Sequence, residues 1–176
     1  AEVPGAEAAV AWLRLAWAAL ALGADTAEVV ALASPLSPVA AASGEIILRN
    51  LTAADLRPAR QLAWQLRRSD GAATSVAGHP WTAAVLDFQP EYEDYEAAVA
   101  RHLSELLQHM RVPHVASSPL EAFGTLYRAP AWFPQPQAVI DLDARSDRLA
   151  SGALGGGAAL RRQQMQRAGL RVCAVD

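Results

Sequence analysis

Ala138-Val139-Ile140-Asp141-Leu142-Asp143 is followed, after a loop, by Leu154-Gly155-Gly156-Gly157-Ala158-Ala159-Leu160-Arg161-Arg162-Gln163-Gln164-Met165-Gln166-Arg167 and then by Ala168-Gly169-Leu170-Arg171-Val172-Cys173-Ala174-Val175. The first run is short, apolar and bounded by turn residues, which reads as a strand ending in two carboxylates. The second has helix-forming residues behind a glycine-rich start. Ala168-Gly169 stops it, since glycine accepts the left-handed conformation that ends a helix. The third is a second apolar strand. A helix of that length between two strands is long enough to cross over one face of a sheet, so the two strands are expected to be parallel.

Working back toward the N-terminus, Pro134-Gln135-Pro136 is a tight turn, and residues 123–133 hold one further strand. Residues 91–110 form the strongest helix. Tyr95, Val99, His102, Leu103, Leu106 and Met110 recur at helical spacing, with Glu91, Glu93, Asp94 and Glu96 early and His109 and Arg111 late, as the macrodipole favours. His102 falls on the apolar stripe and needs a partner if buried. The C-terminal half therefore reads helix, strand, strand, helix, strand.

The N-terminal half reads as helices. Residues 6–22 end at Gly23, and Asp25-Thr26-Ala27-Glu28 is a capping box for a short helix reaching about residue 32. Residues 45–49 fit helix or strand. Thr52 and Asp55 make another box-like start, and Pro58 suits the first position of a helix over 58–68 carrying Leu62, Trp64 and Leu66. Residues 71–90 are the least regular stretch, with Gly78-His79-Pro80-Trp81 and Gln89-Pro90 as breakers. The expected organisation is a helical region over 1–70, a linker over 71–90 and an α/β module over 91–176, an α+β chain.

Composition narrows the chemistry. The 176 residues are 52% hydrophobic and 19% charged, with a net charge of −3. That is enough apolar surface for one ordinary domain or two small ones. There is no lysine, which excludes Schiff-base chemistry and a P-loop. Cys173 is the only cysteine, so no internal disulfide forms. The most apolar run, 8–22, contains Arg14 and stops at Gly23, short of the ~20 uncharged residues of a membrane span.

The order of strand, acidic end, glycine, arginine-bearing helix, glycine and strand resembles a RAP domain. Leu15-Ala16-Trp17-Ala18-Ala19-Leu20-Ala21 and Arg60-Gln61-Leu62-Ala63-Trp64-Gln65-Leu66 resemble the helices preceding RAP domains in octotricopeptide-type and FAST-kinase-type proteins. The resemblance implies a small restriction-endonuclease-like module behind a helical array. It also implies RNA handling in a mitochondrion or chloroplast, in RNA maturation or within an organellar ribosome or other ribonucleoprotein. Ribosomal RNA or organellar transcripts and neighbouring proteins would be the partners. The family pattern departs after Asp143, where Ala144-Arg145-Ser146-Asp147-Arg148 stands for the usual Gly-Pro-Ser-His-Phe, and at Leu170, where an aromatic is usual.

Asp141 and Asp143 are read as pointing to opposite faces, a vestigial acidic strand end in which one carboxylate enters any one site. Metal-dependent phosphodiester cleavage wants a further carboxylate on the preceding strand and a Lys two residues on. Asp143 stands where that Lys would be. The expected protein is not an enzyme, and no cofactor or metal is implied. Across 144–176 six arginines meet two aspartates, Asp147 and Asp176. Arg145, Arg148, Arg161, Arg162 and Arg167 are the expected RNA-phosphate contacts, beside the glycine-rich helix start. The glycine run itself is read as a flexible connector. A structural subunit without RNA contact and a divergent nuclease are the alternatives.

Overall fold

The computed structural model describes residues 6–33, 44–68, 80–87, 94–120, 127–143 and 147–175. The chain divides into two compact units, Ala1–Gln89 and Pro90–Asp176. In the first unit the described elements are helices: α1 (Ala6–Ala21), α2 (Thr26–Ala33), α3 (Gly44–Asn50), α4 (Ala53–Arg68) and α5 (Pro80–Asp87). The second runs α6 (Asp94–His109), β1 (Val115–Pro119), β2 (Arg128–Phe133), β3 (Ala138–Leu142), α7 (Gly156–Arg167) and β4 (Arg171–Val175). No described helix is long and apolar enough to cross a membrane.

Local signals set several helix ends. Gly23 takes φ 93°. Behind it the Ala24 N–H reaches the Ala19 carbonyl at 3.0 Å and the Gly23 N–H reaches that of Leu20 at 3.1 Å, a Schellman closure. α7 ends the same way around Gly169 (φ 89°), with the Leu170 N–H on the Met165 carbonyl at 3.2 Å. The capping box at Asp25 and Glu28 is reciprocal, at 2.9 and 3.0 Å. Residues 45–49, open between helix and strand in sequence, lie within the helix Gly44–Asn50.

Two expectations for this unit are corrected. The helix expected to begin at Pro58 begins at Ala53, and Pro58 lies inside it. Asp55 caps the chain before it by accepting from the Thr52 N–H at 3.0 Å and from Thr52 Oγ1 at 2.6 Å. The missing proline donor is tolerated because α4 is held by burial, with Gln61 through Leu66 all buried. Within the stretch read as a linker, residues 80–87 form α5 with Pro80 first. Trp81 and Val85, one turn apart, are both 0% exposed. α5 therefore belongs to the core, packing on α3 and α4.

The sheet runs β1-β2-β3-β4. The first two pairings are antiparallel and β3–β4 is parallel, as the crossover through α7 requires. β1 was missed. Val115-Ala116-Ser117-Ser118-Pro119 has no apolar alternation and lies at an edge of the sheet, so its identity depends on pairing with β2.

The stripe expected on α6 is displaced. His102, Leu106 and Met110 are exposed, while Ala100 and Ser104 are buried. α6 packs on β1 and β2, where Ala129 and Ala131 are buried. Small residues on both sides permit close approach, so size rather than hydrophobicity chose the inward face. The partner expected for a buried His102 is not needed. Among the described residues, His114 is the histidine held by two bonds, with Nε2 2.8 Å from Ser104 Oγ and Nδ1 2.9 Å from the Val112 carbonyl. Of the acidic start, Glu91 and Glu93 lie outside the described residues.

Candidate functional site: an aspartate–arginine cluster between β3 and α7

Asp141 is the fourth residue of β3, and Asp143 continues the strand, its N–H bonding the Val175 carbonyl at 3.0 Å. Residues i and i+2 of a strand share a face, so the expectation that these carboxylates point apart is corrected. One side chain, Arg162, reaches both.

α7 lies over that face. Its first turns bring Arg161 and Arg162 to the carboxylates. Arg161 Nε donates to Asp141 Oδ1 at 2.9 Å, and its Nη2 donates to Asp141 Oδ2 at 3.2 Å and to Asp147 Oδ2 at 3.1 Å. Arg162 Nε donates to Asp141 Oδ2 at 2.8 Å, and its Nη2 donates to Asp143 Oδ1. Arg148 closes the group from the loop, with Nη2 on Asp143 Oδ2 at 2.7 Å and Nη1 on the Gly152 carbonyl at 3.0 Å. Three formal negative and three formal positive charges therefore neutralise one another. The Asp141 and Asp143 side chains are only 8% and 2% exposed, so the exchange takes place largely out of water.

The loop is built to deliver these groups. Arg148 and Leu154 form an antiparallel bridge, the Leu149 N–H bonds the Ala153 carbonyl at 2.8 Å, and Gly152 (φ 81°) makes the turn. The Gly155 N–H bonds the Asp147 carbonyl at 2.7 Å, and a Cβ at Gly155 would stand 3.0 Å from that same oxygen. The glycine run read as a flexible connector is thus a hydrogen-bonded turn, a close approach and a helix start.

Burial works against the charge on Arg161, but Asp141 and Asp147 outweigh it and raise its proton affinity above the ordinary arginine value. Asp141 accepts three N–H bonds, leaving little of a carboxylate's four-site acceptor capacity for a metal ion. Among the described residues no group of three or more His, Cys, Asp or Glu could hold one.

The expected phosphate-contacting arginines thus divide. Arg161 and Arg162 turn inward. Arg148 is paired but still exposed, Arg167 is exposed, and Arg145 lies outside the described residues. Asp141 and Asp143, which precede the arginine-rich stretch, absorb its excess charge. Asp147 completes the cluster without a local sequence signal. Its bond to Arg161 spans 14 residues and has no periodic signal. Tyr127 likewise has no local signal: its hydroxyl donates to Gln164 Oε1 at 2.6 Å, on a glutamine that is 0% exposed.

Comparison with family models, curated proteins and solved structures finds no match to this chain.

Proposed function

We propose that this protein is a non-catalytic scaffold component of an organellar ribonucleoprotein assembly. The observation that carries this reading is the state of Asp141. In a metal-dependent nuclease a carboxylate at a strand end ligates the cation. Here two guanidinium groups hold both of its oxygens. Admitting a divalent ion would mean separating buried ion pairs, a loss of several kcal/mol. With no lysine in the chain to stabilise the transition-state charge, the arrangement serves structure: it locks α7 over β3. The placement in an RNA-containing organellar assembly rests on the resemblance. In such an assembly, phosphate contact falls to the exposed Arg148 and Arg167.

The internal neutralisation of Arg161 and Arg162 also favours a second reading, a protein–protein subunit without RNA contact. One pair of assays tests both. Incubation with single-stranded RNA and duplex DNA in Mg²⁺ or Mn²⁺ is expected to give no cleavage; cleavage that Asp141→Asn abolishes would overturn the proposal. In a salt titration of RNA binding, Arg148→Ala with Arg167→Ala is expected to reduce the slope by about 1 to 2. Absence of RNA association in the parent protein would select the protein-only reading.

A further inference from the structure

We infer that one face of α4 binds the phosphate backbone of a nucleic acid without reading its bases. This inference rests on the charge of a single helix in the helical unit, and not on the resemblance that supports the scaffold reading.

α4 carries four of the chain's 15 arginines and one carboxylate, Asp55, which gives it a formal charge of +3 in a chain of −3. At 3.6 residues per turn, Arg57, Arg60, Trp64, Arg67 and Arg68 fall within an arc of about 100° and span about 16 Å of helix. Asp55 lies on the opposite face, where Arg14 Nε holds it at 2.7 Å. Arg57, Arg67 and Arg68 are exposed and Arg60 is half-buried. The helix dipole accounts for Arg67 and Arg68, which stand in the last turn. Its effect is confined to the end turns, so it gives no reason for Arg57 and Arg60.

The chemistry of this face selects a polyphosphate. Guanidinium groups meet phosphate oxygens through paired N–H bonds. The Arg68 guanidinium carbon stands 4.9 Å from the centre of the Trp64 ring. Stacking of that kind holds the guanidinium plane, and with it the N–H donors, in a fixed orientation. Trp64 is 6% exposed, so its ring supports Arg68 and is not open to stack on a base. Phosphates of one strand recur every ~3.4 Å along a duplex, so several fall within the length of the stripe. A lipid surface would need apolar anchors beside the charges. Among the described residues, α4 exposes no large hydrophobic side chain.

The test is fluorescence anisotropy of the full chain with a labelled mixed-sequence RNA duplex and its DNA counterpart, each titrated in salt. Arg57→Gln with Arg67→Gln is expected to lower the slope of log affinity against log salt by about 2, with circular dichroism unchanged. Scrambling the duplex sequence should leave the affinity of the parent unchanged. Loss of slope on the RNA duplex alone assigns the face to RNA, and loss on both assigns it to nucleic-acid backbones in general. If the double variant does not fold, Arg67→Gln alone decides, with an expected loss of about 1. A slope lost only in the Arg148→Ala, Arg167→Ala variant overturns this inference and leaves the scaffold reading intact. A parent that binds neither duplex also overturns it. So does an α4 variant that keeps duplex binding but loses binding to vesicles of phosphatidylserine and phosphatidylcholine.

Discussion

Each unit ties distant elements together with an aspartate and an arginine, and the two pairs sit in different solvents. In the helical unit, Arg14 of α1 grips Asp55 of α4 through Nε at 2.7 Å and Nη2 at 2.9 Å. Asp55 is 7% exposed but Arg14 is 58% exposed, so water screens one partner. In the α/β unit, Asp141 and Arg161 are 8% and 10% exposed, and the attraction acts at low dielectric on both ends. The first pair trims a fold that helix packing already determines. The second fixes which way a crossover helix lies on its sheet, and neither partner can be removed without stranding a buried charge.

The largest effect is therefore expected from Asp141→Asn. It leaves Arg161 and Arg162 short of a carboxylate and should destabilise the α/β unit by about 3–5 kcal/mol, measured by chemical denaturation. A loss under ~1 kcal/mol would mean that Asp147 and Asp143 suffice, and the contrast between the two pairs would dissolve.

Asp55→Asn is expected to cost less, about 1 kcal/mol, chiefly through the weakened cap before α4. It should also change the acid response. Arg14, with help from the Thr52 hydroxyl and amide, holds the Asp55 carboxyl well below the usual carboxylate range against the opposing effect of burial. A depressed folded value means stability that is present above the unfolded pKa of ~3.9 and lost as pH falls below it. Melting temperature followed from neutral pH into acid should fall less steeply in the variant than in the parent.

Glu45→Gln marks the low end. Glu45 and Arg49 pair along α3 at 3.5 Å with side chains 78% and 79% exposed. A change beyond ~0.5 kcal/mol in thermal unfolding would show that exposure does not grade these pairs.

Signals contained within a few residues were legible from the chain alone. The glycine stops at Gly23 and Gly169, the box at Asp25 and Glu28, and the strand–helix–strand order of the C-terminal region depend on chemistry between near neighbours. The features without such a signal depend on partners far away in sequence. Pro58 has the local character of a boundary, and the burial that carries α4 through it is supplied by other helices. Trp81 looked like part of a linker because one buried turn of helix among breakers has no long period. The face of α6 followed small residues fitted to Ala129 and Ala131, where a hydrophobic count points to Leu106 and Met110.

Sequence by itself determined the parallel pairing of β3 with β4, because two apolar strands joined by one helix have few other ways to bury themselves, and it excluded lysine-dependent chemistry. Only the tertiary structure decided the fate of the arginines. Whether a guanidinium meets a phosphate or an internal carboxylate depends on where a strand end and a helix start meet. Asp141 and Arg161 are 20 residues apart, and no local rule relates them.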